Sequence, residues 1–188
     1  NYPSDPNVHL LGGDLYLTLE KDEEAKNEYL KAVRSGSGSF EAWQNLLYLE
    51  IQTNQIDSLI AHSEEALEMF PNQAMVYYFN GYGHLRKKQY REASYSLEQA
   101  KKLSTSNPAF VSELNGLMGD CYNATKEYSK SDKAYEEALV FNPNNEIVLN
   151  NYSYYLALRK ENLEKAEKMA TQLTKNFPDN PSYLDTYA

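Results

Sequence analysis

Three histidines, His9, His62 and His84, are the first side chains here that could hold a metal or move protons, and their spacing argues against both. A helical metal site needs ligands one turn apart or a Cys/His cluster, and these three have neither an HExxH pattern nor cysteines beside them. They are expected in packing or surface roles. Gly81-Tyr82-Gly83 lacks the third glycine and the preceding strand of a dinucleotide fingerprint, and no Lys-Ser/Thr pair follows Gly12-Gly13, so neither cradles a phosphate. The carboxylate runs Asp22-Glu23-Glu24 and Glu64-Glu65 fit neither a paired acid/base site nor a calcium loop; the first is favourable negative charge at a helix start. No nucleophile elbow precedes a serine. Asn123-Ala124-Thr125 and Asn151-Tyr152-Ser153 match the glycosylation sequon, the second inside a predicted helix. Cys121, the single cysteine, lies on an apolar helix face beside Met118 and Tyr122 and is expected to be a buried small hydrophobe. The chain is therefore expected to be no enzyme and to use no cofactor and no metal.

The elements behind these residues recur. A small or apolar residue at Gly13, Leu47, Gly81, Gly119 and Ser153 steps by 34, 34, 38 and 34, and Ala32, Ala66, Ala100 and Ala138 step by 34, 34 and 38. Two independent series thus place the same extra four residues in the same interval. The apolar spacing within each period predicts two helices and a turn: Pro6–Glu20 with Asp22–Arg34, Phe40–Thr53 with Gln55–Phe70, Ala74–Lys88 with Tyr90–Ser104, Pro108–Thr125 with Tyr128–Phe141, and Glu146–Arg159 with Leu163–Asn176. Asn107-Pro108 reads as an N-cap and first-turn proline that start the fourth pair one turn early, and four residues is close to one helical turn, so the helix face is kept. The fifth turn is one residue longer. Ser35–Ser39, with Gly36 and Gly38, is a repeat junction because the period continues through it. Repeats are placed at about 6–39, 40–73, 74–107, 112–145 and 146–180, with a partial sixth at 181–188, all in one domain spanning 1–188 that is expected to be a segment of a longer protein.

The chain carries a net charge of −9 over 188 residues, and all of the excess sits in residues 1–73, which hold 4 Lys/Arg against 13 Asp/Glu. Such an end repels phosphate backbones, so nucleic acid is not expected as a partner and a basic protein segment or a cation is favoured there. No apolar run approaches the ~20 residues that span a bilayer, so no membrane insertion by this segment is expected.

The period and the series Gly119, Tyr122, Ala138 and Pro143, with Gly81, Ala93 and Ala100 in the third repeat and Gly13, Tyr16, Ala25 and Ala32 in the first, resemble the tetratricopeptide repeat family over Pro6–Ala188. Ser131 departs from the pattern, as do Leu47 and Leu59, whose size places the close helix approach of the second repeat in question. The resemblance implies an all-α fold, a right-handed α-solenoid superhelix of helix-turn-helix repeats whose first helices line a concave groove. It further implies that Asp14, Gln44, Tyr48, Gln52, Tyr78, Tyr82, Arg86, Glu113, Asp120, Asn123, Asn150 and Tyr154 project into that groove. One family subclass grips a C-terminal carboxylate with Lys, Arg and Asn; this groove offers Arg86 alone as a cation, so such a clamp is not expected.

The function expected is a non-catalytic protein-interaction scaffold that holds an apolar or basic protein or peptide segment in a Tyr/Asn/acidic groove. The alternative is a structural spacer or self-association module, a homo-oligomer, in a larger envelope assembly, suggested by the apolar face of a final helix, Tyr183, Leu184 and Tyr187. The abundance of Tyr and Asn resembles bacterial envelope-type arrays, which favours the periplasm or a lipoprotein over the cytoplasm, although the compartment itself is not encoded in these residues.

Overall fold

The computed structural model describes residues 5–35, 39–104, 107–178, 180 and 183. Gly36, Gly38 and the sixth helix expected from Pro181, with Leu184 and Tyr187, lie outside the described residues. Within them the fold is all-α. Ten helices run in order as α1 (Pro6–Thr18), α2 (Asp22–Arg34), α3 (Phe40–Gln52), α4 (Ile56–Met69), α5 (Ala74–Arg86), α6 (Tyr90–Leu103), α7 (Pro108–Ala124), α8 (Tyr128–Phe141), α9 (Glu146–Arg159) and α10 (Leu163–Asn176). They group into two compact units, residues 1–88 with α1–α5 and residues 89–188 with α6–α10.

Local chemistry starts and stops these helices. Asp5, Ser39, Asn107 and Asn145 each turn a side-chain oxygen onto a backbone N–H of the first turn of α1, α3, α7 and α9, satisfying a donor that the helix itself cannot pair. Asn107 accepts from the Phe110 N–H at 3.1 Å, and Pro108 opens the helix, as its fixed φ allows. The extra residues add one turn, making α7 17 residues long. Ser112, the residue after that turn, donates to the Ala138 carbonyl at 2.9 Å and accepts from Asn145 at 3.0 Å, tying α7 to α8 and to the start of α9.

A third series marks the turns. Glu20, Asn54, Lys88, Lys126 and Lys160 all have positive φ, between 56° and 64°, at the same 34, 34, 38 and 34 steps. After Glu20, Asn54, Lys126 and Lys160, the next N–H reaches back to the carbonyl five residues earlier, as Lys21 to Tyr16 at 2.9 Å and Glu127 to Tyr122 at 2.8 Å. This left-handed cap closes the first helix of a pair and reverses the chain. The longer fifth turn absorbs its additional residue with a second left-handed position, Asn162.

In the first unit the core joins Leu10, Tyr29, Trp43, Leu46, Leu59, Ala66 and Phe79, all buried. A buried polar cluster lies among them. Glu50 is 0% exposed, 2.7 Å from His62 Nδ1 and 3.5 Å from Lys26 Nζ, while Lys26 also donates to Gln55. In the second unit Tyr135, Ala138, Val148, Leu149, Tyr152, Leu156 and Leu173 form the core, and Tyr135 stacks on Tyr152 with centroids 5.0 Å apart.

The doubt over the second repeat has a structural answer. Its α3 and α4 approach less closely than α1 and α2 or α7 and α8. At the position where the first and fourth repeats pair glycine with a tyrosine 16 residues on, the second pairs Leu47 with Ser63, both buried, so the bulk has moved to the opposite helix. Leu59 and Ile60 in turn press on α5 at Gly83, where a Cβ would lie 2.8 Å from Ile60. The Gly81-Tyr82-Gly83 stretch serves helix packing.

Candidate functional surface

The expected groove residues separate by what they touch. In the first unit α3 and α5 pack against each other, and each bears a ladder four residues apart: Gln44, Tyr48 and Gln52 on α3, Tyr78, Tyr82 and Arg86 on α5. Residues four apart share a helix face. Tyr48 is 55% exposed, a high value for so large a ring. The Tyr78 and Tyr82 rings sit 6.2 Å apart at an angle of 34°. Arg86 donates to the Tyr82 hydroxyl and to Asn54 Oδ1, each at 3.0 Å, so this cation is held by neutral neighbours.

Asp14 has a different occupation. It accepts from the Tyr29 hydroxyl at 2.7 Å and from Asn45 Nδ2 at 3.1 Å, joining α1 to α2 and to α3. Gly13, the preceding residue, lies under the Tyr29 ring, where any Cβ would run into it. The second unit repeats this arrangement. Tyr135 donates to Asp120 at 2.5 Å and Asn151 donates to it at 3.0 Å; a Cβ at Gly119 would lie 2.6 Å from the Tyr135 ring. Burial pulls the Asp120 carboxyl above its ordinary value, and the donated hydrogen bonds of Tyr135 and then Asn151 oppose that rise. Burial, followed by the neighbouring Asp120 charge, pushes the Tyr135 hydroxyl upward as well. The Cys121 thiol beside them is buried and pushed up to about 12, first by burial and then by Asp120, so it stays protonated and inert.

Of the other expected residues in the second unit, Glu113 is exposed on α7, and Tyr154 on α9 is 49% exposed. Asn123 accepts from Arg159 at 3.4 Å, and Asn150 donates to Asn151 at 3.3 Å. Arg159 itself is anchored by Asp132 at 2.5 Å and lies 4.8 Å over the Tyr128 ring. The sequon residue Asn151 is thus engaged inside helix α9. Among the described residues, no group of three His, Cys, Asp or Glu side chains is placed to hold a metal ion, and no helix is long and apolar enough to cross a membrane. His9 bonds Glu28 at 2.6 Å and His62 bonds Glu50, each within its own packing.

Two features escape a sequence reading. One is the Asp–Tyr–Asn linkage, whose signal was available in the recurrence of Gly-Asp at 13–14 and 119–120 with Tyr and Asn at matching distances. The other is Asn115, fully buried, with neither amide atom bonded to the protein; its neighbours in sequence, Leu114 and Gly116, give no hint of it.

Residues 8–35 and 112–145 match the family model for the tetratricopeptide repeat. No curated protein sequence matches the chain. Solved structures do. MamA, residues 41 to the end, from Desulfovibrio magneticus RS-1 superposes with a TM-score of 0.80 at 18% identity, covering 94% of this chain and 97% of that one. PilF of Pseudomonas aeruginosa gives 0.78 at 19% identity over 97% of this chain and 81% of its own. YrrB, described as a tetratricopeptide-repeat protein with an unusual peptide-binding site, gives 0.77 at 18% identity over 97% and 91%. At these identities the likeness is one of fold, the tetratricopeptide α-solenoid, whose general use is protein–protein interaction. One matched repeat lies in each unit, so residues 8–35 and 112–145 are tetratricopeptide repeats, in a chain whose fold is the tetratricopeptide α-solenoid.

Proposed function

We propose that this protein is a non-catalytic scaffold that holds an apolar or basic protein segment against its first helices. The observation that carries the reading is the pair of ladders on α3 and α5. Tyr48 stands exposed between Gln44 and Gln52 on α3, and the rings of Tyr78 and Tyr82 lie 6.2 Å apart on α5, which packs against it. Tyrosine gives large contact area at low entropic cost, and amides can pair with the main chain of an extended segment. The acidic excess of residues 1–73 favours a basic segment. Arg86, bonded to Tyr82 and Asn54, is the one cation on these ladders, so they carry no cluster of positive charge for a carboxylate. On α9 of the second unit, Asn150 and exposed Tyr154 offer the same chemistry, and the peptide-binding site described for YrrB supports the class of ligand.

The test is Tyr78→Ala with Tyr82→Ala, titrated against peptides that combine Lys/Arg with apolar residues. Affinity is expected to fall on the order of tenfold with the far-UV circular dichroism unchanged; unaltered affinity would remove the ladders from the site. One observation favours a second reading, self-association: Val8, Leu11, Leu15 and Leu19 form a stripe along α1 and its cap, each more than half exposed. Light scattering against concentration, in the same preparation, distinguishes the two.

A further inference from the structure

The second unit contains a cavity of about 440 Å³ between α6, α7 and α8, within the ~300–1,000 Å³ range of pockets that hold ligands. Its position on α7 is set by helix geometry. At ~100° per residue, Asn115, Met118 and Tyr122 share one face, and Glu113 and Asp120 share the opposite one. This is therefore a different surface from the first-helix surface proposed above.

The cavity differs from the rest of the molecule in charge. Four lysines, Lys101, Lys102, Lys130 and Lys133, line it against two glutamates, in a chain whose net charge is −9. Both glutamates are engaged within the wall: Glu98 accepts from the Tyr122 hydroxyl, and Glu137 pairs with Lys101 and lies 4.0 Å from Lys133. These bonds span α6 to α7 and α6 to α8, so the walls are braced. Lys133 keeps 79% of its side chain exposed, and Lys102 is also exposed. Lys130 is paired with Glu127 at 2.5 Å and sits 5.4 Å over the Tyr122 ring.

The floor is Asn115. It is 0% exposed, and neither its Nδ2 nor its Oδ1 has a hydrogen-bonding partner in the protein. Leaving a buried amide in that state is unfavourable, so a helix position of this kind would be better filled by leucine if packing were its only role. A primary amide presents one donor edge and one acceptor edge, and its natural complement is another amide. Met118, Ala134 and the Tyr122 ring supply the apolar walls around it.

We infer that this cavity is a second binding site, for an acidic peptide segment that places an Asn or Gln side chain against Asn115 and its carboxylates against Lys102 and Lys133. A long polyanion is disfavoured by the overall negative charge of the chain, whereas a short segment with two or three carboxylates meets only the lysine rim.

The experiment uses the full chain, isotopically labelled, and two pools of acetylated, amidated hexapeptides. One pool combines three Asp/Glu, one Asn/Gln and two apolar positions; the other replaces the acids by lysine. The acidic pool is expected to shift the Asn115 side-chain NH2 resonances with those of Met118 and Ala134, and the basic pool to leave them in place. Lys102→Glu with Lys133→Glu, both on exposed side chains, should weaken the acidic pool about tenfold. Asn115→Leu should remove the advantage of Asn/Gln over Leu in the ligand while leaving the melting temperature equal or higher. Absence of shifts with the acidic pool, equal response to the basic one, or binding indifferent to these variants overturns the proposal. So does a loss of stability in Asn115→Leu, which would mean that a bound water satisfies the amide. Shifts of the same residues with protein concentration alone, or with a short oligonucleotide in place of the acidic peptides, would assign the cavity to another occupant and overturn it equally.

Discussion

The same four-residue assembly is built twice, once in each unit, with different consequences. Gly13-Asp14 meets Tyr29 and Asn45, and Gly119-Asp120 meets Tyr135 and Asn151, with Tyr and Asn lying 15 and 31 residues after the aspartate in both. Each glycine admits a tyrosine ring flat against its helix, each ring hydroxyl bonds the aspartate, and the asparagine of the next first helix completes the link. In the first unit Asp14 remains exposed. In the second, Tyr135 is stacked against Tyr152 at 5.0 Å and Tyr155 at 6.3 Å, and Asp120 is enclosed enough for its carboxyl to be pulled upward. An identical local device, its tyrosine ring buried in both, is thus a latch with a solvent-exposed carboxylate in one place and a cross-link with a half-buried one in the other. The neighbouring rings set the difference, not the motif.

Substituting the glycines should break the comparison hardest. Gly119→Ala forces a Cβ against a ring confined by two others, and a net loss of about 2 kcal/mol is expected after the gain in helix propensity. Gly13→Ala creates an overlap at least as severe on paper but meets a ring without that stack, so about 1 kcal/mol is expected. Chemical denaturation of both variants decides it, and a larger loss at Gly13 would mean that the overlap alone, not the confinement of the ring, controls the cost.

Removal of the hydroxyls has a smaller effect of the same sense. Tyr135→Phe leaves a half-buried carboxylate with one donor fewer and should cost about 1.5 kcal/mol, whereas water can replace the lost donor at exposed Asp14 and Tyr29→Phe should cost about 0.5 kcal/mol. Equal losses from the same denaturation curves would erase the distinction between latch and cross-link.

The smallest expected effect concerns pH. Burial raises the Asp120 carboxyl in the folded state above its unfolded value, so the folded state holds the proton more tightly. Its contribution to stability is fully present below the ordinary carboxylate range and declines as pH rises through the folded value. The melting temperature of the unsubstituted protein relative to Asp120→Asn should therefore fall between about pH 3 and pH 7. A flat difference would show that Tyr135 and Asn151 offset the burial completely.

Much of this architecture was legible in the residues alone. The expected limits of α2, α8, α9 and α10 coincide with the observed ones, and the first helices of the other pairs stop two residues or fewer short of the expected end. The shortfall has one cause, the left-handed residue in each turn, which in this chain is Glu, Asn or Lys and not the glycine that usually betrays it. The tolerance of Leu47 and Leu59 could not be foreseen, because compensation came from Ser63 on the facing helix and Gly83 in the following repeat. Among the residues expected to line a groove, Asp14 and Asp120 share the helix register of exposed Tyr48 and Tyr154, and no pattern within one helix separates a side chain that bonds inward from one that faces solvent.

What the sequence determined by itself was therefore the number, length and phase of the helices, since caps, turns and the 3.6-residue apolar stripe act over a few neighbouring positions. Tertiary structure alone decided which polar groups are consumed by packing and which are left for a partner. Asp120 is enclosed by residues 15 to 35 positions away, and Asn115 is stranded by helices before and after its own. Burial is a property of the assembled neighbours, and a side chain's own segment carries no record of it.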